Sequence, residues 1–519
     1  MFDNLHRGAL RGLIVTGAGL TLAASLCLAA VPAAAAAQDA PTACDIVTIA
    51  APFVTRHQTR IRGRSVAYTA IAGETLLRNG RGQPTAALFS FAYIKDGGAP
   101  DRPVMFVFNG GPGSSSLWLH MGVVGPRRVQ LDREVNPSNT PPFGVVDNPD
   151  SLLDVADLVF IDPIGTGFSR IVGVGKPEDF YGVDQDAESI AQFIELWLSA
   201  NGRWNAPKYL MGESYGSARA ALLPRALMGG PTTYSGVMRG ITVDGIILLG
   251  SSLNGQGAGP GPARAAALNL PAMAATAWSH RRAEREGLTL SDFDAEVSAF
   301  AMGEYLNAVE KAAAGALDQT ERAAVLARLA RYTGVSADAW PETLVLSTRA
   351  FSHALLAGQG LAVGLYDGRY TLPSAGDGGE PVADDPAMGR YVPGFVSAFH
   401  QMLAQDLKVR MDRPYGAIVW RDLLFGWNWK RTGVPEGQSF AADLATAMRR
   451  NGDLRVLVAS GYFDLVTTPA AAKDALQQAG VPADRTTIRD YESGHMLYLG
   501  NTAAAFSDDV RALIAAGAR

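Results

Sequence analysis

Short, almost wholly apolar runs recur in the first half of this 519-residue chain, at Val104-Met105-Phe106-Val107-Phe108, Leu158-Val159-Phe160-Ile161, Tyr209-Leu210-Met211 and Gly245-Ile246-Ile247-Leu248-Leu249. Strands covered on both faces have this composition, and strands joined through helices run parallel to one another. From Arg102 to Gly250 the chain therefore reads as βα units around a mostly parallel sheet. One connecting segment, Asp184 to Leu198, carries Ile190, Phe193, Ile194 and Trp197 at the spacing of a helix packed on such a sheet.

After Gly250 the β pattern fades into an Ala- and Arg-rich helical region that runs to about Asp412. Ser291 with Asp294 and Asp318 with Glu321 resemble capping boxes, followed by the stripes Phe293, Val297, Phe300 and Val325, Leu329, Tyr332. These patterns predict a helical cap inserted into the sheet domain. Asp367 to Gly389, dense in Gly, Asp and Pro, is expected to be a mobile loop within it. The β pattern returns at Arg455–Ala459 and again near Thr486 to Tyr491. The expected organisation is a core over 38–254, a cap over 255–415 and the second part of the core over 416–519.

At the N-terminus, Arg7 and Arg11 precede an apolar run from Leu13 to Val31 and the small-residue tract Ala33 to Ala37. This is the pattern of a secretory signal with an A-x-A-like cleavage site, so residues 1–37 are expected to be removed on export to a periplasmic or extracellular compartment. Cys27 lies inside the run and follows Leu26, which argues against a lipoprotein cysteine. With the signal removed Cys44 is the one cysteine left, no internal disulfide can form, and stability must come from core burial. Export without disulfides points to a bacterial periplasm. No other segment is apolar for long enough to span a bilayer. A formal net charge of −5 gives no basic footprint, so neither nucleic acid nor a membrane surface is an expected partner. Nothing in the sequence fixes the oligomeric state.

Two segments carry the chemistry. Gly212-Glu213-Ser214-Tyr215-Gly216 matches G-x-S-x-G and falls between the predicted strand Tyr209–Met211 and a predicted helix over Ser217–Leu227, the strand-to-helix turn that such a nucleophile requires. The Gly-rich stretch from Asn109 to Ser116 gives backbone N–H groups the freedom to point at a developing oxyanion. A serine hydroxyl needs a base to take its proton, and that base needs a carboxylate to orient it. Among seven histidines, His495 follows a β run in the loop Glu492-Ser493-Gly494-His495-Met496, where the glycine lets the ring turn inward. His57, His280, His353 and His400 read as surface or packing residues, and His120, just after the Gly-rich stretch, is the runner-up. Asp464 follows the strand Arg455–Ala459 at a strand end, where sheet enzymes place catalytic groups, although a turn or helix cap is a competing role for it. No Cys/His metal spacing is present, and Gly165-Thr166-Gly167 lacks the lysine of a phosphate loop, so neither a metal nor a cofactor is expected.

With Asp162-Pro163-Ile164-Gly165-Thr166-Gly167-Phe168-Ser169 and the order Ser214, Asp464, His495, the chain from about Arg102 onward resembles the serine carboxypeptidases, exopeptidases of the α/β-hydrolase fold. The resemblance implies an α/β architecture with a mostly parallel sheet and an inserted helical cap, a peptide substrate and no cofactor. It implies Ser214 as nucleophile, His495 as general base and then acid, and Asp464 as the orienting carboxylate. The N–H groups of Gly111 and Tyr215 would hold the oxyanion, and Asn109, Gly110 and Glu213 would bind the substrate's terminal carboxylate. A glutamate beside a carboxylate must carry a proton, so peptide binding should weaken as pH rises; the bland alternative is that Glu213 merely fixes the turn.

The departures are specific. The family's second glutamate, which shares that proton, falls in Leu119-His120-Met121-Gly122-Val123-Val124, with Val123 nearest its place, and Ser114 stands where the family has a cysteine. Val123 leaves open an esterase, an aminopeptidase-like enzyme or an acyl-transferring hydrolase on the same fold. From a different class, a silent binding protein on this fold is the remaining reading. Trp420, Phe425, Trp427 and Trp429 either line a side-chain pocket or pack the cap onto the sheet, and Asp162–Ser169 either touches substrate or braces the site.

Overall fold

The computed structural model describes residues 47–255, 259–285, 287–376 and 378–517. The expected signal over 1–37 and Cys44 lie outside them. The main sheet uses β1 (Phe53–Ile61), β2 (Arg64–Arg78), β3 (Pro84–Lys95), β4 (Val104–Phe108), β5 (Asp157–Ile161), β6 (Lys208–Glu213), β7 (Gly245–Leu249), β8 (Arg455–Gly461) and β9 (Thr486–Tyr491) in the order β1-β2-β3-β5-β4-β6-β7-β8-β9, with the two-residue strand Arg170–Ile171 added on β3. From β5 to β9 every pairing is parallel, as the apolar runs predict. The antiparallel ribbon β1-β2-β3 was not anticipated. Its first strand, FVTRHQTRI, alternates toward and away from solvent with polar residues on the open side, so it lacks the continuous apolar run that marks the central strands.

Alternation along the central strands divides the core. Met105, Val107, Tyr209, Met211, Ile247, Leu249, Leu457 and Ala459 face one way, against Tyr391, Phe395 and Phe399 of α6 (Pro386–Gln405) and Phe506 and Val510 of α9 (Ala503–Gly517). Val104, Phe106, Leu210, Ile246, Leu248, Val456 and Val458 face the other way, against α1 (Val183–Ala200), α2 (Tyr215–Met228) and α7 (Phe440–Arg450). Being covered on both faces is why the middle of these strands is almost wholly apolar, with polar residues confined to their ends.

Between β7 and β8 the chain is largely helical. Here α3 (Pro262–Ser279), α4 (Leu290–Phe300) and α5 (Gln319–Thr333) assemble a separate hydrophobic cluster from Phe293, Val297, Phe300, Val325, Leu329 and Tyr332, whereas α6 joins the cluster of the sheet. Two local expectations are corrected. The cap of α4 is Thr289, whose side chain accepts from the Asp292 amide, not Ser291. Asp367 to Gly389 is not one loose loop: Asp367 is buried and ion-paired with Arg369 (2.6 Å), Thr371–Pro373 pairs with Leu361–Val363, and Pro386 already begins α6. After α6 the chain returns across the sheet's upper edge, making single β-bridges from Gly416 to Gly167, Ile418 to Ser114 and Asn428 to Gly182 before α7 and, beyond β8, α8 (Pro469–Gln478). No helix among the described residues is long and apolar enough to cross a membrane.

One buried ionic cluster pins the opposite end of the sheet. Asp157, at the start of β5, accepts from Arg102 Nε (3.1 Å), Arg203 Nη1 (2.6 Å) and the Lys95 amide (3.0 Å), and neither guanidinium is more than marginally exposed. Asp157→Ala strands two buried cations against each other and is expected to cost about 3–5 kcal/mol, read as a lower urea midpoint at unchanged slope.

Candidate active site

All the predicted chemical residues collect at the C-terminal edge of the parallel strands. In register, Glu213 of β6 lies opposite Leu249 of β7, which lies opposite Ala459 of β8. Ser214 follows β6, Gly250 follows β7, Asp464 lies just beyond β8 and His495 just beyond β9. A parallel sheet thus brings Ser214 and His495, 281 positions apart (495 less 214), to one edge without their needing to be neighbours in sequence.

Ser214 sits at φ 59°, ψ −129°, a strained conformation for a residue other than glycine, between the end of β6 and the first turn of α2. The fold can turn this sharply because Gly212 has no Cβ; one placed there would lie 2.0 Å from the Gly216 carbonyl oxygen. The Ser214 amide donates to Leu249 O (2.9 Å), and its carbonyl accepts from Ser217 Oγ (2.6 Å). From Lys208 to Leu223 every residue is buried except Ser214.

The Gly-rich loop abuts this turn: a Cβ on Gly110 would lie 2.4 Å from the Tyr215 nitrogen. Its orientation is set by a residue that sequence reasoning missed. Arg219 of α2, 1% exposed, donates Nε to Asp186 of α1 (2.6 Å), Nη1 to Asn109 O and Gly110 O (3.2 Å), and Nη2 to Pro112 O (2.6 Å). In a trans peptide the N–H points opposite to the preceding C=O. Holding Gly110 O toward Arg219 therefore turns the Gly111 N–H the other way. An arginine inside a patterned helix looks like a surface residue, and only Asp186, in the first turn of a different helix, marks it as buried. The loop's far side is held by Asp162, which accepts from the Ser116 amide (3.0 Å), Ser116 Oγ (2.8 Å) and the Tyr415 hydroxyl (3.0 Å), while burial pushes its carboxyl up to about 6.

His495 Nδ1 lies 2.8 Å from Asp464 Oδ2, with both residues buried. Asp464 Oδ1 accepts from the Val466 and Thr467 amides (2.8 and 2.9 Å), so the turn-cap role and the contact to histidine coexist in one side chain. Thr467, also missed in the sequence, donates its hydroxyl to Asp464 Oδ2 (2.6 Å) and sits 3.0 Å from His495 Nδ1. Burial opposes the imidazolium, but the charge and hydrogen bond of Asp464, joined by the charges of Glu213 and Asp385, prevail and raise His495 above its ordinary value. The ring rests over the end of β7, where a Cβ on Gly250 would stand 3.0 Å from Nδ1. Gly494 serves close packing rather than a turn of the ring, since a Cβ there would come within 2.5 Å of Asp367 Cβ. Arg369 extends this brace to Glu492 O (2.9 Å) and Ser493 Oγ (3.1 Å).

Asn109 and Glu213 also meet. Asn109 Nδ2 donates to Glu213 Oε1 (2.9 Å), and its Oδ1 accepts from the Leu119 amide (3.2 Å). Burial drives the Glu213 carboxyl up to about 7, against the opposing pull of His495 and of the Tyr498 and Asn109 donors. His120 is not part of the cluster; it is buried, stacked on Phe160 at 4.0 Å with Nε2 2.6 Å from the Tyr93 hydroxyl, and burial lowers it to about 3. Of the aromatic group, Trp427 donates to the Tyr215 hydroxyl (3.2 Å) and packs edge-on to its ring, as does Trp429, whereas Phe425 is 81% exposed and packs nothing. No group of metal-ligating side chains occurs among the described residues.

Residues 79–242 match the serine carboxypeptidase family, so the resemblance carried by the motifs holds over that stretch. A pheromone-processing carboxypeptidase KEX1 of Leptosphaeria maculans is 33% identical over 129 residues, 24% of this chain and 18% of that protein. Serine carboxypeptidase-like 5 of Arabidopsis thaliana is 30% identical over 141 residues, 26% of this chain and 30% of that protein. The matches thus span less than a third of either relative's length. In three dimensions the chain is similar to the prohormone-processing carboxypeptidase Kex1Δp of Saccharomyces cerevisiae, with a TM-score of 0.53 and 15% identity, covering 86% of this chain and 91% of that one. The fold is that of the α/β-hydrolases, as expected.

Arg219→Lys retains a charge for Asp186 but replaces a fork of donors with one point charge. It is expected to lower kcat about 10- to 100-fold with little change in KM, less than the ~10²–10³ lost with a whole oxyanion donor. Steady-state kinetics on an activated ester, beside an unchanged circular dichroism spectrum, test this.

Proposed function

We propose that this chain is a serine carboxypeptidase that removes the C-terminal residue of peptides. The observation that carries the reading is the meeting, on one sheet edge, of a strained, part-exposed Ser214 with the His495–Asp464 pair and with a buried, proton-retaining Glu213 held by Asn109. Ser214 Oγ attacks the carbonyl carbon of the last peptide bond as its proton passes to His495 Nε2, the ring nitrogen left available by Asp464. The N–H groups of Gly111 and Tyr215 stabilise the oxyanion. His495 then gives the proton to the leaving amine, the C–N bond breaks, and an acyl-enzyme remains. Water, losing its proton to His495, hydrolyses the ester and restores the hydroxyl. Asn109, Gly110 and Glu213 anchor the substrate carboxylate.

We assign 255–415 as the cap between the two core segments 38–254 and 416–519, and residues 1–37 as a cleaved signal that takes the enzyme to a periplasmic or extracellular site. A second reading, an esterase or acyl-transferring hydrolase on the same fold, draws on Val123, which leaves Glu213 without an acidic partner.

The experiment compares an N-blocked dipeptide with its C-terminal amide and methyl ester across pH. Neutral His495 is required for attack, so all substrates gain rate as pH rises through its raised value. Protonated Glu213 is required only where a carboxylate is bound. The dipeptide should therefore lose kcat/KM roughly tenfold per pH unit above about 7, while the ester holds its plateau. Ser214→Ala should abolish fluorophosphonate labelling of the folded protein. Equal rates on dipeptide and amide would favour the second reading.

A further inference from the structure

Glu213 Oε2 and the Tyr498 hydroxyl are both buried and neither finds a hydrogen-bond partner among the described residues, and each group lies within the other's electrostatic field. Tyr498 is 2% exposed and Glu213 4% exposed. Tyr498 reaches this place because of the residue beside Val123: a Cβ on Gly122 would stand 2.2 Å from Tyr498 Cε2 and 2.7 Å from Cδ2. The segment that lacks an acid thus supplies a gap, and the loop of His495, three residues further on, fills it with a phenol ring.

We propose that Tyr498, admitted by Gly122, takes the place of the missing second acid as the hydrogen-bond partner of Glu213, and is the positioning residue that sets the charge of the terminal-carboxylate site. The inference rests on the carboxypeptidase reading for its effect on substrates, while the pairing itself is independent of it. The exchange has a definite chemical consequence. Two acids sharing a proton carry one negative charge between them, whereas a phenol beside a glutamic acid carries none. Tyr498 cannot compete for the proton, because burial and the Glu213 charge both push its own ionisation well above the ordinary phenol value. It keeps its own proton, donates to ionised Glu213, and with protonated Glu213 either accepts from the acid O–H or donates to its carbonyl oxygen. The other groups facing Glu213 are Asn109, which donates to Oε1, His495 and Asp464 from the catalytic cluster, and Tyr391 of α6, whose hydroxyl donates to Met388 Sδ (2.8 Å). None of these meets Oε2 in a hydrogen bond.

The test pairs Tyr498→Phe with Gly122→Ala, whose methyl displaces the ring instead of removing the hydroxyl. For both variants and the wild type, kcat/KM is recorded against pH for the N-blocked dipeptide and its methyl ester. The carboxylic acid C=O stretch of Glu213, identified by its loss in Glu213→Gln, is titrated by difference infrared spectroscopy. A donor to the ionised form holds a carboxyl's titration down, so its loss should move the infrared midpoint and the alkaline limb for the dipeptide upward by about half a unit or more. The ester profile should gain no such shift. Above the wild-type limb, Tyr498→Phe would then handle the dipeptide relatively better, an outcome that loosened packing does not produce. An infrared midpoint unmoved in both variants overturns the proposal, as does an equal fall on dipeptide and ester with no shift. Should the wild type fail to distinguish dipeptide from amide, the carboxypeptidase reading falls, and the infrared titration still decides the pairing.

Discussion

One buried guanidinium organises the edge of the sheet on which everything else stands. Arg219 is the point at which α1, through Asp186, α2, through its own backbone, and the loop after β4, through three carbonyls, are held in fixed relation. A charge so buried is tolerable only when nearly every donor is used, and here Asp186 supplies the countercharge while the loop supplies the acceptors. The constraint works in both directions. The carbonyls satisfy the arginine, and the arginine, by holding Gly110 O, turns the Gly111 N–H to the side away from itself.

Next to that rigid edge lies a second coupling, between His495 and Glu213. Each lies within the other's field, His495 favouring the ionised glutamate and Glu213 favouring the charged imidazole. With one proton between them the proposed mechanism separates the two arrangements: a proton on His495 would block attack, and a proton on Glu213 would permit both attack and the holding of a carboxylate. Groups that interact this closely titrate as a pair. Whatever adjusts Glu213 therefore also redistributes the proton that decides whether His495 can act as a base.

What the sequence made legible follows from range. The strands β4 to β8 were readable because burial on both faces leaves a largely apolar run, and Ser214, Asp464 and His495 could be picked out as candidates because each follows a strand end, two of them within a glycine-containing turn. The ribbon β1-β2-β3 was not, since its open face admits Arg, Thr and Gln and breaks the run. Local rules also misplaced the cap of α4 by two residues, and they took Asp367 for part of a mobile loop because what orders it, the tie from Arg369 to Glu492 and Ser493 in the His495 loop, is long-range. Arg219, Thr467 and Tyr498 escaped for the same reason. Each touches a group well removed in sequence, Thr467 through His495 as well as its neighbour Asp464, and nothing in its immediate neighbours distinguishes an arginine that ends in a carboxylate from one that ends in water.

The bridges from Gly416, Ile418 and Asn428 to the Asp162–Ser169 turn, the Gly-rich loop and the start of α1 have a bearing on when this protein becomes active. The Ser115 amide and hydroxyl both donate to Ala417 O, a contact across 302 positions, and Tyr415 completes the hydrogen bonding of Asp162. The loop that would hold an oxyanion is thus fastened by residues made about 300 positions after it. Asp464 and His495 arrive later still. Under the proposed mechanism a growing chain that has already made Ser214 has neither its base nor a finished anion site, and gains both only once synthesis has passed residue 495.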